Sequence, residues 1–170
     1  MKIATMKITA PLALVSFALL FCSLPAMAAE LHAYAPSGER QALLTVAIEP
    51  KATAPGAAPV HVTPLGFKGT TIVAHPTQPW LYVSGAAAAA GGPNAAVVRL
   101  AATGLPESVE ACTPADDVPW GMAISSDGRF LAVTNFGSKT LSVYRIDAEV
   151  GLERLTTVDV EDRLMDVVVR

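Results

Sequence analysis

The side chains able to do chemistry are few and widely spaced. The chain has three histidines, His32, His61 and His75. A zinc site needs several Cys or His ligands at close spacing. These histidines are scattered, so no metal site and no cofactor is expected. Asp116 and Asp117 form an acidic pair that could join a Ca²⁺ shell with further oxygens. Two adjacent acids in a loop are more simply solvated. Four residues stand out as ligand-binding candidates: His75, Trp120, Arg129 and Arg145. Each has a plainer reading. His75 precedes Pro76 and fits a structural turn. Trp120 opens an apolar run and fits a core or channel-wall aromatic. Asp127 is most simply a turn residue.

Such side chains need elements to hold them, and an internal repeat shows which. IVAHPTQPWLYVSG (Ile72 to Gly85) aligns with MAISSDGRFLAVTN (Met122 to Asn135). Trp80 matches Phe130, Leu81 matches Leu131 and Val83 matches Val133. Further on, Val97 to Leu105 matches Val143 to Leu152. A fainter copy, Leu31 to Glu49, follows the order of Phe130 to Asp147. The tail from Leu164 to Arg170 resembles the opening of another unit at Gly121 to Ser125. Units of about 40–50 residues with four strands each are propeller blades.

One unit can be read through. Gly121 to Ser125 is a short apolar strand. Ser126-Asp127-Gly128 is a tight turn, because Asp-Gly tolerates positive φ. Arg129 to Asn135 is the second strand, Phe136-Gly137-Ser138 a turn, and Thr140 to Asp147 the third strand. Glu149 to Gly151 is a loop. Glu153 to Val160 is an outer strand, polar enough to face water. Arg129 and Arg145 fall within strands, where they either pair with blade carboxylates or face a central channel. Pro50 to Pro59 is a Pro- and Ala-rich connection. Ala86 to Asn94 is a low-complexity insert, too short to nucleate a helix and read as a mobile hairpin loop. The fold class is therefore all-β, with about three four-stranded antiparallel blades and the start of another.

The N-terminus must be set aside before the domain is counted. Lys2 and Lys7 precede an uncharged apolar stretch, Pro11 to Leu24, and then Ala26-Met27-Ala28. This order is a cleavable secretory signal over residues 1–28, with cleavage expected after Ala28. The apolar core of about 14 residues is shorter than the ~20 that span a bilayer. Residues 29–170 form the domain, about 142 residues. Loss of Lys2 and Lys7 leaves ten basic groups of twelve against fifteen acidic ones, a net charge near −5. Such a chain does not attract nucleic acid, which needs clustered Lys and Arg. Cys22 leaves with the signal. Cys112 remains alone, so no intrachain disulfide is expected. A periplasmic or secreted protein follows, without membrane attachment after cleavage.

The run DGRFLAVTNFGSKTLSVYRID, with Gly151-Leu152 after it, resembles the seven-bladed β-propeller lactonase family, which includes 6-phosphogluconolactonases. Ala132 to Asn135, Gly137-Ser138 and Thr140 to Val143 also resemble the related YVTN repeats. His75-Pro76 with Leu81-Tyr82-Val83 resembles the opening of a lactonase-type blade. The resemblance implies hydrolysis of a sugar lactone. That chemistry needs an activated water, a general base and donors for the developing oxyanion. One family blade carries a histidine before its Asp-Gly turn. Here Pro119 is followed by Trp120 and Gly121, a departure from that pattern. A non-catalytic propeller that binds a protein or small ligand is the alternative. A surface-exposed repeat protein is a third reading.

Length sets the last expectation. Propellers close with about four to eight blades. About three are present here, so closure is expected to need further blades or a second subunit.

Overall fold

The apolar and polar residues of Leu31–Ser37 (β1) and Ala42–Ile48 (β2) form an antiparallel pair, and Val60–Pro64 (β3) adds to β2. These strands open the computed structural model, which describes residues 31–48, 60–111, 115–147 and 151–170. The expected signal, the connection over 50–59 and Cys112 lie outside the described residues. A second sheet follows: Phe67–Ala74 (β4), Trp80–Ala87 (β5), Ala95–Leu100 (β6) and Pro106–Ala111 (β7). The third is Pro119–Ile124 (β8), Phe130–Asn135 (β9), Thr140–Asp147 (β10) and Gly151–Asp159 (β11). All three sheets are antiparallel meanders in chain order.

The aligned repeats occupy matching strands. Trp80 pairs with Arg99 across β5 and β6, and Phe130 pairs with Arg145 across β9 and β10. Among the described residues the first sheet has three strands, and its turn shows which blade strands they match. The β1–β2 turn ends at Gln41 with φ 49°, and the β9–β10 turn ends at Lys139 with φ 58°. The amide of Leu65 donates to the Gln41 carbonyl, as that of Val160 donates to the Lys139 carbonyl. Hence β1, β2 and β3 correspond to β9, β10 and β11.

Burial explains why β5 reads as an unbroken apolar run. Its alternate side chains enter two different cores. Leu81 and Val83 pack with Leu43, Phe67 and Val98, between the first and second sheets. Trp80 and Tyr82 pack with Met122, Leu131, Val133 and Tyr144, between the second and third. A strand covered on both faces loses the apolar-polar alternation of a half-exposed one. Each such side chain contributes about 1.5–3 kcal/mol by leaving water. In contrast, β11 is exposed along nearly its whole length, as its polar sequence predicts. One expectation needs correction. Ala86 and Ala87 extend β5 rather than joining the loop, because their backbones pair with Lys68 and Phe67 of β4.

Candidate functional site

The blades have two working ends, one of tight turns and one of longer loops. At the turn end, the β4–β5 turn carries His75 and the β8–β9 turn carries Asp127 to Arg129. The His75 Nδ1 accepts the amides of Thr77 at 3.2 Å and Gln78 at 2.9 Å. A nitrogen accepting two N–H groups carries no proton, so the proton is on Nε2. That nitrogen donates to the Gly128 carbonyl, 3.0 Å away in the next blade. Both nitrogens are therefore used in holding turns. The ring also meets Trp80 edge-on, with centroids 5.6 Å apart.

The same end holds Arg129 and Arg145. The Arg129 guanidinium lies 5.6 Å from the Phe130 ring centroid. Arg145 stands opposite Phe130 in the ladder and pairs with Glu153 at 3.2 Å on the exposed surface. Asp127 caps this turn. Its Oδ1 accepts the Ser125 hydroxyl at 2.6 Å and the Arg129 amide at 3.0 Å. The Ser125 bond, then the Arg129 amide, hold this carboxyl below the usual carboxylate range.

Trp120 lies at the opposite end of β8, 41% exposed. Its carbonyl accepts the Thr71 hydroxyl of the neighbouring blade. Its ring leans on Phe136 at 5.8 Å, and the Arg163 guanidinium covers Phe136 at 5.0 Å. The structure thus gathers His75, Arg129 and Arg145 at the turn end and puts Trp120 at the loop end.

The loop end holds what residue spacing did not reveal. The Asp116 carboxylate joins several strands. One oxygen accepts Arg154 at 2.9 Å. The other accepts the hydroxyls of Thr140 at 3.0 Å and Ser142 at 3.4 Å, with the Asn135 amide at 3.5 Å. Asn135 also donates to Thr140 and Ser142. Arg154 reaches the Tyr144 hydroxyl at 3.2 Å. Burial alone would disfavour the Arg154 charge, but Tyr144 and Asp116 outweigh it and raise its pKa. Asp116 is therefore a half-buried organiser rather than a solvated acid.

Beside this network is an open pocket of about 470 Å³, between the β5–β6 loop and the segment 115–118. Asn94 ties the two walls together. Its amide donates to the carbonyls of Ala115 and Asp116, both at 3.1 Å, and its buried Oδ1 has no donor among the described residues. Among the described residues the lining contains Asp116 and Asp117 and no lysine or arginine. Its polar groups mainly accept hydrogen bonds, which suits a ligand rich in hydroxyls. Among the described residues, no three His, Cys, Asp or Glu side chains converge as a metal site.

Four-stranded antiparallel meanders packed face to face, with loops at one end and tight turns at the other, define a β-propeller chain. The family profile described as "Lactonase, 7-bladed beta-propeller" matches residues 38–165, and the chain belongs to that family. Among solved structures it is similar to a candidate 6-phosphogluconolactonase from Bacteroides fragilis. That match has 15% identity and a TM-score of 0.61, covering 79% of this chain and 37% of the other. It is also similar to the Kuenenia stuttgartiensis hydrazine synthase, at 15% identity and a TM-score of 0.53. There the match covers 76% of this chain and 46% of the other. At such identities the likeness is one of fold. The chain spans less than half the length of either structure. No curated protein sequence matches it.

Proposed function

We propose that the chain is an exported lactonase-family propeller that, as part of a whole ring, hydrolyses a sugar lactone. The family match over residues 38–165 carries this reading. In the reaction, water adds to the ester carbonyl, the ring C–O bond breaks, and the hydroxy acid leaves with its alkoxide protonated. The loop-end pocket supports a polyhydroxylated substrate. Asp117 and Asn94 offer acceptors to sugar hydroxyls there, and no cationic side chain among the described residues lines the pocket to attract a phosphate. The test is titration of acid released from gluconolactone-type substrates, with the uncatalysed rate subtracted. A folded protein giving no rate above that background would end the proposal.

Export rests on the order Lys2, Lys7, the apolar stretch from Pro11 to Leu24, and Ala26-Met27-Ala28. Amino-terminal sequencing of protein from the periplasm or medium should begin at Ala29. Protein retained inside the cell with Met1 intact would reject it.

A second reading is a propeller that binds sugar acids or a protein without turnover. The closed hydrogen bonding of His75 favours it, because that imidazole is not free to act as a base. Saturable binding by calorimetry, without acid release, would separate it from the first.

A further inference from the structure

The two walls of the loop-end pocket differ in chemistry. One wall is the β5–β6 loop, built from Ala86 to Ala90 and then Gly91 and Gly92. The other is the segment from Ala115 to Val118, which carries two carboxylates. The pocket volume of about 470 Å³ falls in the range of small-molecule sites, roughly 300–1,000 Å³.

The two carboxylates differ in how their charge is met. Asp116 is compensated by Arg154 at 2.9 Å and by the hydroxyls of Thr140 and Ser142. Asp117 takes part in no ion pair among the described residues. It is nonetheless held in place. Its carbonyl accepts the Gly137 amide at 3.1 Å, and the Val118 carbonyl accepts the Phe136 amide at 2.9 Å. Its carboxylate lies against Gly137, where a Cβ would fall 2.5 Å from Oδ2. Val118 adopts φ 49° beside it, a conformation rare for a β-branched residue. Backbone strain of this kind collects at ligand-binding positions. Asn94, 6% exposed, joins the two walls and keeps a buried Oδ1 without a donor among the described residues. The pocket therefore presents acceptors and one positioned, uncompensated negative charge.

We propose that Asp117 is the specificity-determining residue of this pocket, admitting uncharged sugar lactones and rejecting the anions that resemble them. This rests on the hydrolysis proposed above. In that reaction the lactone takes up one water and its acyl C–O bond breaks. The ring oxygen leaves as a hydroxyl with one proton of the water, and the new acid gives its own proton to solvent. A neutral substrate thus becomes an anion inside the pocket. The hydroxyls of the lactone donate to the Asp117 carboxylate, whereas the new anion is repelled by it and leaves faster. A lactone bearing a phosphate carries a charge of about −1.5 to −2 before any chemistry and is repelled on entry. Like charges a few ångströms apart in an open pocket repel strongly enough for at least about a tenfold preference for the neutral form.

The experiment follows the methyl NMR signals of Ala86 to Ala90 in the full chain during titration with three stable probes. Gluconolactam supplies the neutral ring, and gluconate and 6-phosphogluconate supply the anions. The lactam should shift these signals saturably. Gluconate should bind at least about tenfold more weakly, and 6-phosphogluconate more weakly still. Lowering the ionic strength from about 0.15 M to about 0.01 M should widen the gap, because screening falls. Asp117→Asn keeps an acceptor and removes the charge, so the anion-to-lactam ratio of dissociation constants should fall at least about threefold. The ring and open-chain shapes of the probes are the same for both proteins, so the change in ratio isolates the charge. Glu107→Gln removes a charge from β7, outside the pocket, and should leave the ratio as it is. The proposal is overturned if the lactam leaves these signals unmoved, if the anions bind as tightly as the lactam, or if Asp117→Asn keeps the wild-type ratio. An equal fall in Glu107→Gln would assign the effect to net charge and also overturn it. Acid release is measured separately. Charge preference without turnover ends the hydrolysis and keeps the filter, and turnover without charge preference does the reverse.

Discussion

The Nε2 of His75 donates to the carbonyl of Gly128, 3.0 Å away and 53 residues further along the chain. This bond joins the tight turns of adjacent blades. Gly128 is suited to it twice over. Its φ of 73° is costly for other residues, and a Cβ there would fall 2.5 Å from the His75 Cε1.

The two residues should therefore be coupled in stability. His75→Ala should cost about 1–2 kcal/mol, since the ring makes three polar contacts at a half-exposed site. Gly128→Ala should cost about 1–3 kcal/mol from its dihedral and its clash with the imidazole. In the double variant the clash is gone, so the combined loss should fall short of the sum by at least about 0.5 kcal/mol. Urea denaturation of the four proteins measures this, and strict additivity would dissolve the clasp.

Asp116 should matter more than its neighbour. Asp116→Ala removes the carboxylate shared by Arg154 and three donors on β9 and β10, and should cost about 2–3 kcal/mol. Asp117→Ala removes an exposed acid and should change stability by less than about 0.5 kcal/mol. Equal losses in the two variants would mean the network is not the organiser of this loop.

Asp127 should give the fold an acid-sensitive component. Its folded pKa lies below its unfolded value. The stabilisation is then fully present above the unfolded value, near about 4, and is lost as pH falls through the folded one. Denaturation midpoints taken from pH 6 downwards should drop more steeply for the wild type than for Asp127→Asn. Parallel curves would show that the Ser125 and Arg129 contacts do not favour the ionised form in solution.

How far the sequence discloses this molecule depends on the distance over which its residues act. Asp127-Gly128 and the run from Phe130 to Asp147 are legible because turns and strand alternation are local, and β10 spans the expected Thr140–Asp147. The match of Leu31 to Glu49 with later strands is legible because blades repeat. The exact correspondence of β1, β2 and β3 with β9, β10 and β11 is not, since it appears only when turns are compared in three dimensions. The fates of His75 and Asp116 are hidden for the same reason. The partners that join them to other strands and turns lie 19 to 53 residues away, and nothing in an imidazole or a carboxylate announces which distant group it will meet.

Glycine 85 gives the sharpest test of the packing within a blade. Gly85 pairs with Gly69 across β4 and β5 and donates its amide to Asn94 at 2.9 Å. A Cβ on Gly85 would fall 1.9 Å from the Lys68 carbonyl oxygen and 2.7 Å from the Gly69 Cα, both backbone atoms. No side chain can swing away to relieve this, so β4 would have to separate from β5. Gly66 is the proper control. It has φ 78° but open space around its missing side chain. Gly66→Ala should cost about 1–2 kcal/mol from conformation alone. Gly85→Ala should cost at least about 3 kcal/mol, because the inner ladder and the core beneath Phe67 and Val83 are lost together. Thermal and urea unfolding of the two variants decides between them. If Gly85→Ala were as stable as Gly66→Ala, the close approach of β4 to β5 would not exist in solution, and the inner edge of this blade would be looser than the ladder implies.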